Sequence, residues 1–243
     1  AKKPQGNSMN DSLNLPQYIG ILTEVRAGKA EYFARDKLSA INKYPVKGEV
    51  AVNYLGLETD EQADRRHHGG YLKAVHQMPI TTYEKINQHF DMNVAIGTLG
   101  ENLSVTTDSE PMSESNVCIG DVYRYGEDNA DSEGKTTSVK LRIVQPRRPC
   151  FKINDQLGHY EVASFITNNG IAGWYFQVVQ NGNLSVGLPV YLVERPYPFA
   201  NLTTLWRMVN QKDKIPVEIV NQWLAIDCLE DSWKEKLYKK RLQ

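Results

Sequence analysis

The stretch Ser138–Cys150, SVKLRIVQPRRPC, joins an alternating apolar segment to a basic, proline-bounded turn that ends in a cysteine. Val139, Leu141 and Ile143 alternate with polar residues, which is the pattern of a half-buried β-strand. Five other runs have strand length and turn residues around them: YIGILTEV (18–25), VAVNYLGLE (50–58), NLSV (102–105), VCIGDVYRY (117–125) and VYLVE (190–194). The sequence therefore predicts a mainly β domain, which we interpret as a barrel over residues 18–195.

Helical spacing is sparse before residue 195. Ile80–Phe90 and Val162–Asn168 are the two candidates there, and we expect both to pack on the barrel. Residues 1–17 are polar and are excluded from the fold as a disordered leader. The polar segment Gly126–Thr137 is expected to form a long, mobile hairpin loop that carries no chemistry.

The pattern changes after Arg195-Pro196-Tyr197-Pro198, because the apolar residues now follow helical spacing. Asn201, Pro216 and Asp231 stand where helix starts are expected. The predicted helices are 202–209, 217–226 and 232–242. They define a small C-terminal three-helix domain over residues 196–243.

The composition excludes several classes of function. With 28 Lys and Arg against 29 Asp and Glu, the formal charge of −1 gives no general attraction to nucleic acid or to an anionic membrane. No apolar run reaches the roughly 18 residues needed to span a bilayer. The sequence also has no phosphate-binding Gly-rich loop, nucleophile elbow or dinucleotide fingerprint. Three scattered cysteines argue against a disulfide framework, so we expect a reducing, cytoplasmic setting.

Cys150 is the first candidate for chemistry. A thiolate is the form that reacts and binds metals, and the neighbouring Arg147, Arg148 and Lys152 would favour it over the thiol. The alternative is a small buried residue at the end of a strand. Cys118 and Cys228 stand in apolar surroundings and are expected to fill the core.

A second cluster is the loop DEQADRRHHGG at residues 60–70. Its diglycine, Gly69-Gly70, would let the backbone approach a ligand closely, which favours a role in the site for His68. His67 fits a solvated loop better, and a zinc site made by the two histidines would lack a third ligand. His76 could be buried or functional. Glu101 and Asn102 could bind a polar ligand or close a turn.

Six blocks taken in order resemble the MOSC domain (molybdenum cofactor sulfurase C-terminal), in particular its YiiM-like subfamily. The blocks are LGLETDEQADRRHHGG, KAVH, TLGENLS, SNVCIGDVYR, PRRPCFKIN and GWYFQVV. The resemblance covers about residues 18–195 and implies a β-barrel with a cleft, and the tail is similar to that subfamily's three-helix domain. The chain departs from the family pattern at Thr59 and at Tyr71-Leu72.

The resemblance implies that Cys150 holds molybdenum or persulfide sulfur, with His68 as its catalytic partner. The activity that it implies is reduction of N-hydroxylated compounds such as 6-hydroxylaminopurine by molybdenum cofactor, with a flavoprotein reductase as electron donor. The candidate residues for binding molybdopterin are Lys37, Asp60, Gln62, Asp64, Gly69, Gly70, Lys73, Glu101, Asn102, Arg147, Arg148 and Asn154.

Two alternatives stay open. Cys150 could carry sulfur or cofactor as a persulfide without turnover of its own. The tail could dock a partner through Trp206, Trp223 and Trp233, although packing among three helices also explains these residues. A homodimer is a further expectation, through a surface that the sequence does not identify.

Overall fold

The computed structural model describes residues 14–29, 31–33, 37–39, 41–61, 70–130, 132–134 and 136–242, with the backbone alone at 31–33 and 37–39. The strands in these ranges are β1 (Gln17–Ala27), β2 (Glu31–Phe33), β3 (Lys37–Ser39), β4 (Tyr44–Pro45), β5 (Val50–Asn53), β6 (Gly56–Leu57), β7 (Val75–Gln77), β8 (Leu103–Thr107), β9 (Val122–Tyr125), β10 (Val139–Pro146), β11 (Trp174–Gln180), β12 (Gly182–Leu184) and β13 (Pro189–Glu194). The helices are α1 (Ile80–Phe90), α2 (Lys152–Leu157), α3 (Val162–Asn169), α4 (Leu202–Asn210), α5 (Val217–Leu224) and α6 (Asp231–Lys240), and Tyr71–Lys73 form a 3₁₀ turn.

Seven strands form a closed barrel in the order β1, β13, β9, β10, β11, β7 and β8. The ring closes because β13 pairs with β9 on one side and with β1 on the other. Neighbouring strands in the ring run antiparallel, except for β7 and β8, which pair in parallel at Gln77 and Leu103. Inward side chains fill the interior, as closure of a small barrel requires. The prediction of a mainly β barrel is confirmed.

The alternation of β10 is confirmed, since Val139, Leu141 and Ile143 are fully buried. Two other predicted strands are wrong in extent. Residues 50–58 form β5 and β6 with a turn between them, in which the Asn53 side chain accepts from the Leu55 N–H at 2.9 Å. Residues 117–125 contribute only β9, because the Asp121 carboxylate accepts from the Cys118 N–H and closes a turn. In both cases a short polar side chain captures a backbone donor.

The helices agree closely with their predicted ranges. Ile80–Phe90 has the predicted bounds, and Asn201 caps α4 by accepting from the Thr204 N–H at 2.8 Å. The cap of α6 is Glu230 rather than the predicted Asp231, since the Glu230 carboxylate accepts from the Ser232 N–H. Helix α2 was not predicted, because it has only six residues and no side-chain cap.

Apolar residues form two buried clusters. The larger fills the barrel and continues into the tail, where Trp223 and Trp233 join it. The smaller lies beneath α1, α2 and α3, around Ile86, Ile153 and Ile166. The tail therefore shares a core with the barrel, although it follows the last strand. In the part of the chain that the structure describes, no helix is long and apolar enough to cross a membrane.

Candidate functional site

Cys150 lies where β10 has ended and α2 is about to begin. It is free and half-buried, and its carbonyl accepts from the Ile153 N–H at 3.1 Å, which starts the turn into α2. Prolines on both sides of the two arginines restrict the backbone here. The thiol therefore sits on a stiff turn at the edge of the barrel and is partly accessible.

The two arginines before Cys150 point to different places. Arg147 is 8% exposed and donates from Nη1 to the Leu99 carbonyl at 2.8 Å, while its N–H donates to the Gly173 carbonyl. Arg148 turns to the tail, where its guanidinium carbon lies 4.3 Å from the centroid of the Trp233 ring. Only Arg147 thus joins the groups described next.

Tyr175 of β11 is the common neighbour of the polar residues around Cys150. The centroids of the Tyr175 and His76 rings are 5.3 Å apart, and Lys73 Nζ lies 6.0 Å from the Tyr175 ring. Burial raises the pKa of Tyr175, while the charge of Arg147 and a hydrogen bond from it lower the pKa; the nearby Cys150 sulfur raises it. The phenol therefore joins Lys73, His76, Arg147 and Cys150 in one site.

His76 is a buried, uncharged member of this site. Its ring nitrogen lies 3.3 Å from the Ala172 carbonyl, and its backbone N–H donates to the Asn102 side chain. Burial, helped by the charge of Arg147, lowers the pKa of His76 well below its usual value. At neutral pH the ring is thus a neutral imidazole.

Lys43, Asp60, Glu101 and Asn102 form what we call the inner wall. Asp60 accepts from Lys43 Nζ at 2.5 and 2.7 Å, from the Gly28 N–H at 2.8 Å and from Asn102 Nδ2 at 2.8 Å. Burial lowers the pKa of Lys43, and the charge of Asp60 opposes that shift. The oxygens of Asp60 are therefore satisfied within the protein, and its predicted role in cofactor binding stays a prediction.

Glu101 is fully buried and bound in the same way. Its carboxylate accepts from the Tyr83 hydroxyl at 2.7 Å and from the Gly97 N–H at 2.8 Å. Desolvation and the charge of Glu101 raise the pKa of Tyr83, so the phenol stays protonated and donates. Glu101 thus closes the turn that presents the Leu99 carbonyl to Arg147. Closing a turn is one of the two alternatives that the sequence offers for this residue.

A cavity of about 240 Å³ lies between the inner wall and α2. Lys43 lines it from one side and Gln156 from the other, and Gln156 Nε2 donates to the Asn42 side chain at 3.0 Å. Arg26 also lines it, and its Nη1 has no hydrogen-bond partner among the described residues. Lys43 and Arg26 therefore give this cavity two cationic lining groups, and Gln156 lines it from α2.

Several predicted residues are placed elsewhere or not described. Gln62, Asp64, His68 and Gly69 lie outside the described residues, as does the side chain of Lys37. Gly70 precedes the 3₁₀ turn with φ +92°, a conformation that favours glycine. Asn154 uses its side chain within the fold, donating to the Tyr160 carbonyl at 2.7 Å and accepting from the Ala163 N–H at 2.8 Å.

Residues 64–191 match the MOSC domain, which is more than half of the chain. The chain belongs to the MOSC domain family. It is 31% identical over 229 residues to Protein YiiM of Escherichia coli (strain K12), covering 90% of this chain and 92% of that protein. A Gibberella moniliformis protein named "Reductase" is 35% identical over 214 residues; this chain is covered to 86% but spans only 34% of that protein. The crystal structure of YiiM from Escherichia coli superposes with a TM-score of 0.68 at 25% identity, covering 93% of each chain.

The MOSC site contains residues that the sequence did not single out. Tyr175 alternates with the buried Trp174 and Phe176 on β11, so the strand pattern predicts its outward direction but no function. Lys43 and Tyr83 were missed because a lone lysine or tyrosine has no signal until its acidic partner is known. Cys118 is buried as expected, and burial raises the pKa of its thiol to about 11, which leaves it inert at neutral pH.

Proposed function

We propose that this MOSC protein binds molybdenum cofactor through the Cys150 sulfur and reduces N-hydroxylated compounds such as 6-hydroxylaminopurine. The observation that carries the proposal is that Cys150, Lys73 and Arg147 all neighbour one side chain, Tyr175. A thiolate is a soft ligand that suits molybdenum. The cationic side chains of Lys73 and Arg147 suit the anionic phosphate of the pterin. The relative named "Reductase" is consistent with redox chemistry.

The donor set fits a metal that arrives with ligands of its own. Within the described residues, no three His, Cys, Asp or Glu side chains stand together as a set that could hold a metal ion. Cys150 would supply the one protein thiolate for the attachment of such a group. When bound, the cofactor would supply two-electron redox chemistry. Lys73 and Arg147 would hold it, together with Lys37 and the loop at residues 62–69.

The side chains around Cys150 would orient the substrate and supply protons. Arg147 is held by the Leu99 carbonyl, so its remaining donors keep a fixed direction. Tyr175 is protonated at neutral pH because its pKa is raised, so its hydroxyl can donate to a substrate oxygen. Cleavage of N–OH to N–H and water consumes two electrons and two protons. We assign one proton to His68 and the electrons to a flavoprotein reductase.

The test replaces Cys150 with serine and measures reduction of 6-hydroxylaminopurine with reconstituted cofactor and reductase, together with the molybdenum content of the protein. We expect both turnover and bound molybdenum to fall to background. Cys228→Ser is the matched control, because Cys228 is also half-buried but lies in the tail, and it should keep both. Turnover by Cys150→Ser equal to that of the control would contradict the proposal. A persulfide on Cys150 in protein that contains no molybdenum, detected by mass spectrometry, would instead favour a sulfur carrier without turnover of its own.

A further inference from the structure

Residues 146–170, which we call the cysteine segment, contact the helical tail at both of their ends. At the start, Arg148 lies over the ring of Trp233, and the N–H of Glu230 donates to the carbonyl of Val144 at 3.1 Å. The charge of Glu230 acts on the Arg148 guanidinium as well. The turn that carries Cys150 is therefore attached to the first turn of α6 and to its cap.

The end of the cysteine segment is attached to the tail by a second indole. Trp206 of α4 donates from Nε1 to the Thr167 carbonyl at 2.9 Å. Its ring covers Gly170, where an added Cβ would come within 2.7 Å of it and where φ is +64°. A side chain there would be strained and would push the ring away. Gly170 thus permits the close contact between α4 and the end of α3.

The two attachments are coupled, because the centroids of the Trp206 and Trp233 rings are 5.7 Å apart. Trp233 is almost fully buried, so its position is fixed by the shared core of barrel and tail. Between the attachments, Arg147 holds the start of the segment to the barrel through the Leu99 and Gly173 carbonyls, and Gln156 bonds to the Asn42 side chain. Movement of the indole pair would therefore move both ends of the segment together.

We propose that Trp206 and Trp233 are positioning residues for Cys150, and that the tail fixes the cysteine segment so that the thiol stays beside Arg147 and Tyr175. The catalytic consequence rests on the proposed function, but the positioning itself does not. The competing interpretation is that Arg148 acts on Cys150 only through its charge. The two interpretations predict different results for a variant in which Trp233 is replaced and Arg148 is kept.

The experiment measures alkylation of Cys150 by iodoacetamide in the cofactor-free protein, by mass spectrometry of the Cys150 peptide across pH. The midpoint of the profile reports ionisation of the thiol, and the high-pH plateau reports its accessibility. The variants are Trp233→Leu, Trp233→Phe and Arg148→Met. Arg124→Met is the matched control, because Arg124 lies 4.6 Å from the Tyr191 ring centroid on the barrel. Alkylation of buried Cys118 reports any general unfolding in the same samples.

We expect the plateau to rise about threefold to tenfold in Trp233→Leu and Arg148→Met, the range set by a partly exposed cation–π contact. The midpoint in Trp233→Leu should not move, and Trp233→Phe, which keeps an aromatic face, should stay near the parent protein. If Cys118 also becomes alkylated in Trp233→Leu, that variant has unfolded, and the proposal is then judged from the plateaus of Arg148→Met and Trp233→Phe. Plateaus within twofold of the parent, or a shift of midpoint alone in Arg148→Met, would overturn the proposal. Because no cofactor is used, failure of the proposed function would leave this result intact.

Discussion

The inner wall and the cysteine segment face the same cavity but are built in opposite ways. In the wall, Glu101 and Asn102 are buried and the Asp60 side chain is 7% exposed, and their polar atoms bond to other parts of the protein. In the segment, Cys150 is half-buried and Phe151 is 47% exposed. Buried charges with complete partners hold a fold together, whereas a half-buried thiol is accessible to a ligand. The difference separates residues that shape the site from residues that can react in it.

The largest effect should come from breaking the wall at Asp60. Asp60→Asn keeps the shape of the side chain but leaves the buried ammonium of Lys43 without its counter-charge. We expect the free energy of unfolding to fall by about 3–5 kcal/mol, the usual cost of removing one partner of a buried pair. Urea denaturation followed by circular dichroism measures it.

The control for Asp60→Asn is the double variant Lys43→Met/Asp60→Leu. Replacing both charges by apolar groups removes the unpaired ion, so part of the lost stability should return. The Gly28 N–H and the Asn102 amide, which both donate to Asp60, lose their acceptor and limit the recovery. A change below about 1 kcal/mol in Asp60→Asn, the range of exposed ion pairs, would mean that Asp60 does not serve the fold. Its assignment as a cofactor ligand would then gain support.

The second prediction concerns Glu114, which anchors the backbone next to the cysteine segment. Its carboxylate accepts from the Gly173 N–H at 2.8 Å, and the Gly173 carbonyl accepts from the Arg147 N–H. Burial raises the pKa of Glu114 from 4.5 to about 7. Between these values the folded protein retains a proton that the unfolded chain loses, so stability falls as pH rises.

We expect the Glu114 carboxyl to lower the free energy of unfolding by up to about 3 kcal/mol between pH 4.5 and pH 7. Glu114→Gln has no such proton to lose and keeps an oxygen to accept from Gly173, so its stability curve should be flatter by that amount. Exposed Glu110→Gln is the matched control and should follow the parent curve. Parallel curves for Glu114→Gln and the parent, measured by denaturation at both pH values, would contradict the assignment.

The same contrast explains what the sequence could predict. The alternation of β10 and the basic turn before Cys150 are local patterns, so the strand and the position of the thiol at its end were predicted. The roles of the wall depend on distant partners: Lys43 is 17 residues from Asp60, and Asn102 is 42 residues from it. Tertiary contacts of that kind leave no local signal. For the same reason, neighbouring Arg147 and Arg148 could not be told apart.

The smallest effect is expected at Asn154, which the resemblance placed among the cofactor ligands and whose contacts instead join α2 to α3. Asn154→Ala removes the bonds to the Tyr160 carbonyl and the Ala163 N–H, and we expect a loss of about 1–2 kcal/mol. Amide hydrogen exchange should quicken at residues 158–163, while bound molybdenum in the reconstituted protein should not change. Asn169→Ala is the control, since its Nδ2 donates to the Phe165 carbonyl within α3. Loss of molybdenum at unchanged stability would contradict this prediction. It would mean that Asn154 binds the cofactor and that the cysteine segment contributes a second cofactor-binding residue besides Cys150.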